Sequence, residues 1–214
     1  MARLRVVSLD LDGTLVSRNY VDYFWLELVP QLYSERWGVP LEESKKLVFQ
    51  AYEEIGPGDI RWYRPSYWFE RFGFPDKLSW ALSRAGELVF LYEDAARFLR
   101  RLSGKVELVI STSASREFIE VVFQRVPELS KYISRVFSSS SDFSLAGKPP
   151  EFFLRVMEKL GAKAEEVVHI GDDEVHDYEN PRKVGIRAFL VTRSGNPNGF
   201  EGLAEIIEQL ALSP

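Results

Sequence analysis

The sequence predicts an α/β fold, a parallel sheet covered by helices, with a long helical insert near its start. Three observations lead there. From about residue 91 onward, short apolar runs alternate with amphipathic stretches, the pattern of strands joined by crossover helices. The segment from Val16 to about Phe90 lacks that alternation, is dense in aromatic residues and repeats its apolar positions at helical spacing. Acidic and hydroxyl residues gather where the apolar runs end, and in parallel sheets ligands collect at those strand ends.

Taken in order, Arg3 to Leu11 reads as a strand, and Gly13 marks a tight departure from it. In the insert, Leu47, Val48, Ala51, Tyr52 and Ile55 form one helical stripe that Gly56-Pro57-Gly58 breaks. Ala95, Phe98, Leu99 and Leu102 predict the next helix, with Asp94 as N-cap and Gly104 as its stop. Strands are expected at Val106 to Ser111, Val136 to Ser138, Val167 to Ile170 and Ala188 to Val191. Helices are expected around Phe118 to Arg125, Glu151 to Leu160 and Asp177 to Val184, and the serine run Ser138 to Ser141 reads as a loop.

Composition narrows the function. The 214 residues are 45% hydrophobic and 28% charged, enough for one catalytic domain with an insert. A net charge of -5 and a pI near 5.3 disfavour nonspecific binding to nucleic acid or anionic membrane. No apolar run reaches membrane-spanning length and the N-terminus lacks a signal-peptide core, so a cytoplasmic protein is expected. With no cysteine, the chain has no disulfide, no thiolate metal site and no cysteine nucleophile.

The polar residues at the strand ends are Asp10 and Asp12 after the first strand, Ser111 and Thr112 at the second, Lys148 before a helix, and Asp172, Asp173 and Asp177 after the fourth. Five are acidic and one is basic. Two unit charges about 4 Å apart repel by about 4 kcal/mol at an effective dielectric near 20, so such a cluster calls for a cation. Oxygen ligands without clustered histidine favour Mg²⁺ over zinc.

Asp10-Leu11-Asp12-Gly13-Thr14-Leu15, Ser111, Lys148-Pro149 and Gly171-Asp172-Asp173-Glu174-Val175-His176-Asp177 resemble, in order and spacing, the four motifs of the haloacid dehalogenase superfamily. The resemblance implies a Rossmann-like catalytic core, residues 1–15 and 91–214, and a helical cap at 16–90. It implies a phosphatase acting on a small phosphorylated metabolite, with Asp10 as nucleophile forming an aspartyl-phosphate and Asp12 as general acid and base. Ser111 and the neighbouring Thr112 would hold phosphoryl oxygens, and Lys148 would bridge Asp10 and phosphate. Asp10, the backbone of Asp12 and Asp172 would hold Mg²⁺. Asp177 would orient metal-bound water or the lysine, while Asp173 either binds metal or satisfies the following helix N-terminus. Asparagine often stands where this chain has Thr112, and Asn180-Pro181 replaces a common Gly-Ala.

Specificity is expected in the cap. Arg61-Trp62-Tyr63-Arg64 and Tyr67-Trp68-Phe69 have two readings: a pocket in which Arg61 and Arg64 grip a substrate, or an aromatic face buried against the core. A phosphoglycosyl mutase, a 2-haloacid dehalogenase and a noncatalytic metal-binding regulator are the competing functions. Dehalogenation requires neither metal nor an acid at Asp12, and the intact motif set argues against a noncatalytic protein. Oligomeric state is not legible.

Overall fold

The structure is a computed structural model describing residues 3–193 and 199–212. Five parallel strands, β1 (Val6–Leu9), β2 (Glu107–Thr112), β3 (Ile133–Ser138), β4 (Val167–Gly171) and β5 (Arg187–Leu190), lie in the order β3-β2-β1-β4-β5. The expected α/β class is therefore observed. β1 is the central strand: its Leu9 lies opposite Ile110 on one side and Ile170 on the other. Every residue of β1 is buried, as a strand covered on both faces requires.

Between β1 and β2 run α1 (Asn19–Tyr23), a π-helical turn (Phe24–Leu28), α2 (Val29–Trp37), α3 (Leu41–Ile55), α4 (Pro65–Phe72) and α5 (Leu78–Gly86). This is the predicted helical insert. Its aromatics form its interior, with Phe24 stacked on Phe69 at 5.5 Å and Tyr52 edge-on to Trp68 at 4.7 Å. The two chain segments joining insert to sheet pair with each other: Ser17 N–H donates to Phe90 O at 3.1 Å and Tyr92 N–H to Leu15 O at 3.0 Å.

After the insert come α6 (Glu93–Leu102), α7 (Arg116–Arg125), α8 (Ser139–Asp142), α9 (Pro150–Leu160), α10 (Asn180–Lys183) and α11 (Leu203–Leu212). Val7 and Leu9 join a core with Leu99, Val122 and Ile207 of α6, α7 and α11. Val6 and Val109, of opposite parity along their strands, join Phe152, Phe153 and Val156 of α9. Among the described residues no helix is long and apolar enough to cross a membrane.

Two local expectations change. The serine run is the start of α8 rather than a loop, because the Ser138 hydroxyl accepts the Ser141 N–H at 3.0 Å as an N-cap. Asp94 does not cap α6, which begins one residue earlier behind Tyr92. Its carboxylate instead accepts two hydrogen bonds from Arg193 Nη1 at 2.8 Å and the Phe200 N–H at 2.9 Å, fastening a distant segment to the core.

Candidate active site

At the carboxyl end of the sheet, β1 delivers Asp10, β2 delivers Thr112 and β4 delivers Asp172, while Lys148 enters from the turn before α9. They surround a cavity of about 400 Å³ whose opposite wall comes from the insert. Gly13 makes the first turn possible. It has φ +85°, and a Cβ there would strike the Asp172 carboxylate.

A buried charge chain forms the floor. Lys148 is 2% exposed, donates from Nζ to Asp10 Oδ1 at 2.5 Å, and also pairs with Asp177. Asp177 in turn lies 2.8 Å from His169 Nε2, and His169 Nδ1 lies 2.9 Å from the Ser8 hydroxyl. Burial pulls the lysine pKa down, but Asp10 and Asp177 outweigh it and hold Lys148 charged. Burial favours a neutral Asp177 as well; Lys148 and His169 reverse this and keep it well below the usual carboxylate range. Burial lowers the His169 pKa, leaving the ring neutral. The backbone of Lys148 is pinned too: its N–H donates to His176 Nδ1 at 3.3 Å and its carbonyl accepts from Asn180 Nδ2 at 3.0 Å.

Three carboxylates bear their acidity differently. Burial raises the pKa of Asp10 despite the facing Lys148, and raises Asp172 despite a 2.9 Å hydrogen bond from the Thr14 hydroxyl. Asp12 is pushed up to about 6, again by burial, against the Tyr20 hydroxyl that donates to its Oδ1. Oxygens of Asp10, Asp172 and Asp177 lie within 4.8 Å of one another. That spacing and the all-oxygen donor set fit a hard divalent cation.

Asp173, left open by the sequence, caps the π-helical turn Glu174–Glu179 by accepting the Val175 N–H at 3.0 Å and the His176 N–H at 2.7 Å. Its carboxylate is not grouped with the three. Ser111 and Thr112 separate. The Ser111 hydroxyl points into the sheet's α9 side, 2.8 Å from Ser8 Oγ, whereas Thr112 lines the cavity with Ser113. Of the two, Thr112 lines the cavity and Ser111 is not in its wall. Arg61 and Arg64 are displaced as well: both are exposed and outside the wall. Arg61 is held by Asp59 through hydrogen bonds of 2.9 and 2.7 Å.

Of the wall that replaces them, sequence reasoning offered Trp62, Tyr63 and Trp68 as pocket residues and missed the rest. Arg18, Val21, Asp22, Trp25 and Leu26 line the cavity as one stripe of the first insert helices. Tyr52 follows, joined by Phe118 of α7, with Trp25 and Tyr52 ring centroids 5.7 Å apart. The spacing of the stripe was readable; the face it presents was not. Both π-helical turns supply residues to the cavity, Trp25 and Leu26 from one, His176 and Asp177 from the other.

The chain is 29% identical over 201 residues to the GMP/IMP nucleotidase YrfG of Escherichia coli (strain K12), covering 93% of this chain and 86% of that protein. A HAD phosphatase structure from Thermococcus onnurineus superposes with a TM-score of 0.78 at 23% identity, covering 90% and 88% of the two chains. A Bacteroides thetaiotaomicron HAD family enzyme crystallised with magnesium and inorganic phosphate superposes with a TM-score of 0.60 at 17% identity, covering 88% and 94%. At these identities the structural likeness is one of fold. The model of the haloacid dehalogenase-like hydrolases matches residues 4–185, so the chain belongs to that family.

Proposed function

We propose that this hydrolase is a phosphatase that acts on nucleoside monophosphates in a Mg²⁺-dependent reaction through an aspartyl-phosphate on Asp10, in a cytoplasmic setting. The observation that carries the chemistry is the placement of Asp10: at the end of the central strand, 5% exposed, facing the cavity, with Lys148 on one oxygen. A carboxylate held this way is pre-aligned for attack, and the lysine limits charge build-up as phosphate arrives. Asp10 forms the O–P bond as the bond to the leaving oxygen breaks, and Asp12 gives that oxygen its proton. Asp12 then takes a proton from water, the resulting hydroxide attacks phosphorus, and the Asp10–phosphorus bond breaks to release inorganic phosphate. Thr112 and Ser113 stand at the wall where phosphoryl oxygens would be held.

Asp10 and Asp172, with Asp177 beside them, would hold the Mg²⁺ ion. When bound, it supplies charge neutralisation for the phosphate dianion and for the acidic cluster itself. The insert, residues 16–90, serves as the cap that selects the leaving group. A flat ring system fits its aromatic wall, and the relative named as a GMP/IMP nucleotidase supports a purine nucleotide.

The test is phosphate release from a panel of nucleoside monophosphates with Mg²⁺, with excess chelator, and in Asp10→Asn. Loss of the nucleophile should lower the rate by on the order of 10⁴-fold or more while the fold persists. Acid-quenched wild-type enzyme should carry phosphate on Asp10. Phosphate trapped on another residue, or isomerised substrate in place of free phosphate, would reject the mechanism.

A further inference from the structure

The sequence motif assigns Asp12 its acid and base work but says nothing of what aims it. We propose that Tyr20 is a positioning residue for Asp12, spending one carboxylate oxygen so that the other is the one that exchanges protons with the leaving group. The proposal rests on the phosphatase reading above.

Tyr20 is 0% exposed, an unusual place for a phenol unless its hydroxyl has a partner, since an unpaired buried hydroxyl costs about 1–3 kcal/mol. Its partner is Asp12 Oδ1, which accepts the phenolic hydrogen in a short bond. The ring itself is clamped, edge-on to Phe118 at 5.9 Å, so the hydroxyl is a fixed point rather than a mobile donor. Burial and the facing Asp12 carboxylate hold the phenol protonated far above neutrality, so it donates at every working pH.

The consequence for Asp12 is directional. The terminal torsion of an aspartate is broad and nearly two-fold, so an untethered carboxyl presents either oxygen and carries its proton on either. With Tyr20 directing a hydrogen at Oδ1, a proton on Asp12 belongs on Oδ2, and a water activated in the second step gives its proton to that same oxygen. Asp12 is not in the group of carboxylates spaced for a cation, which leaves its side chain available for this task. Tyr20 also lies in the first insert helix, just past the paired segments that join insert to sheet. The acid is thus aligned by the insert, while the nucleophile two residues earlier is aligned by Lys148 from the turn before α9.

Tyr20→Phe keeps the ring and its packing and removes only the hydroxyl. The rate of leaving-group release is measured by rapid quench for wild type and variant, with 4-nitrophenyl phosphate, phenyl phosphate and a nucleoside monophosphate. A nitrophenolate needs little protonation and a nucleoside alkoxide needs much. The loss should therefore be smallest for the first and grow to about 10²-fold for the last, the scale expected when a catalytic group is slightly misplaced. In an Asp12→Asn background, which also leaves no buried charge if the fold is sensitive, adding Tyr20→Phe should cost no more than about twofold. A uniform loss across the three phosphates, or full additivity with Asp12→Asn, would make Tyr20 a packing residue and overturn the proposal. Wild-type inactivity on all three would instead reject the phosphatase reading itself.

Discussion

The floor and the wall of the cavity are built on opposite principles. The floor comes from strand ends, and its charges are buried and mutually committed: Lys148, 2% exposed, is shared by Asp10 and Asp177. The wall comes mainly from the insert and is mainly aromatic; Arg18 reaches Asp172 at 3.9 Å, and other ion pairs of the insert lie outside and in water, as Arg71–Glu54 at 2.8 Å illustrates. A committed floor serves chemistry that must not vary between substrates, and an aromatic wall is the part that can differ between relatives at little cost to the fold.

Lys148→Ala should expose this difference most strongly. Removing one partner of a buried ion pair typically destabilises by about 3–5 kcal/mol, because the remaining charges are left uncompensated, and here two carboxylates are stranded at once. Arg71→Ala, in an exposed pair of the insert, should cost less than about 1 kcal/mol. Urea unfolding of the two variants measures both. Equal losses would mean that the floor is no more committed than the surface.

The wall is tested by substrate ranking. Stacking of a base on an aromatic side chain is worth about 1–3 kcal/mol, so Trp25→Ala should lower kcat/KM for a nucleoside monophosphate by about 5- to 150-fold. The loss on 4-nitrophenyl phosphate, whose smaller ring reaches less of the wall, should be several-fold less. Arg61→Ala and Arg64→Ala should leave the ranking unchanged within about twofold, since both side chains are exposed and Arg61 is already bound to Asp59. A change of ranking in the arginine variants but not in Trp25→Ala would reverse the assignment of the wall.

The floor was far more legible in the sequence than the wall, for physical reasons. Asp10, Asp12, Lys148, Asp172 and Asp177 sit at the ends of apolar strands or just before a helix, so local pattern alone brings them near one another once the strands are parallel. Ser111 and Thr112 mark the limit of that logic. Adjacent strand residues face opposite sides, and which side opens on the cavity depends on where the insert docks. The same dependence hid the stripe from Arg18 to Leu26, whose helical spacing was visible but whose orientation is tertiary. Arg61 was a different failure. Asp59, two residues earlier, was in plain sight as a local partner, and a short Asp-x-Arg pair holds a guanidinium on the surface. The role of Asp94 rests on Arg193 and Phe200, about a hundred residues away, and no local pattern reports such contacts.

A further expected effect concerns how the floor responds to pH without metal. Burial raises the Asp12 pKa from 3.8 to about 6, so between those values the folded protein holds a proton that the unfolded chain has lost. Stability then falls as pH rises through that window, the reverse of the usual carboxylate case, because the folded state binds more protons than the unfolded one. At about 1.4 kcal/mol per pKa unit the full effect is near 3 kcal/mol, reduced to on the order of 2 kcal/mol where cavity water screens the charge. Asp12→Asn carries no such charge at any pH and keeps an oxygen for Tyr20 to bond. In excess chelator, the Tm of Asp12→Asn should therefore exceed that of wild type by several degrees at pH 7.5 and by much less at pH 4.5. Adding Mg²⁺ at pH 7.5 should narrow the gap, since the cation stabilises the ionised cluster only in the folded chain. A gap that is constant across this range, or widest in acid, would mean that Asp12 is as well solvated in the folded protein as in the unfolded chain, and the contrast between a desolvated floor and a wetter wall would fail at that residue.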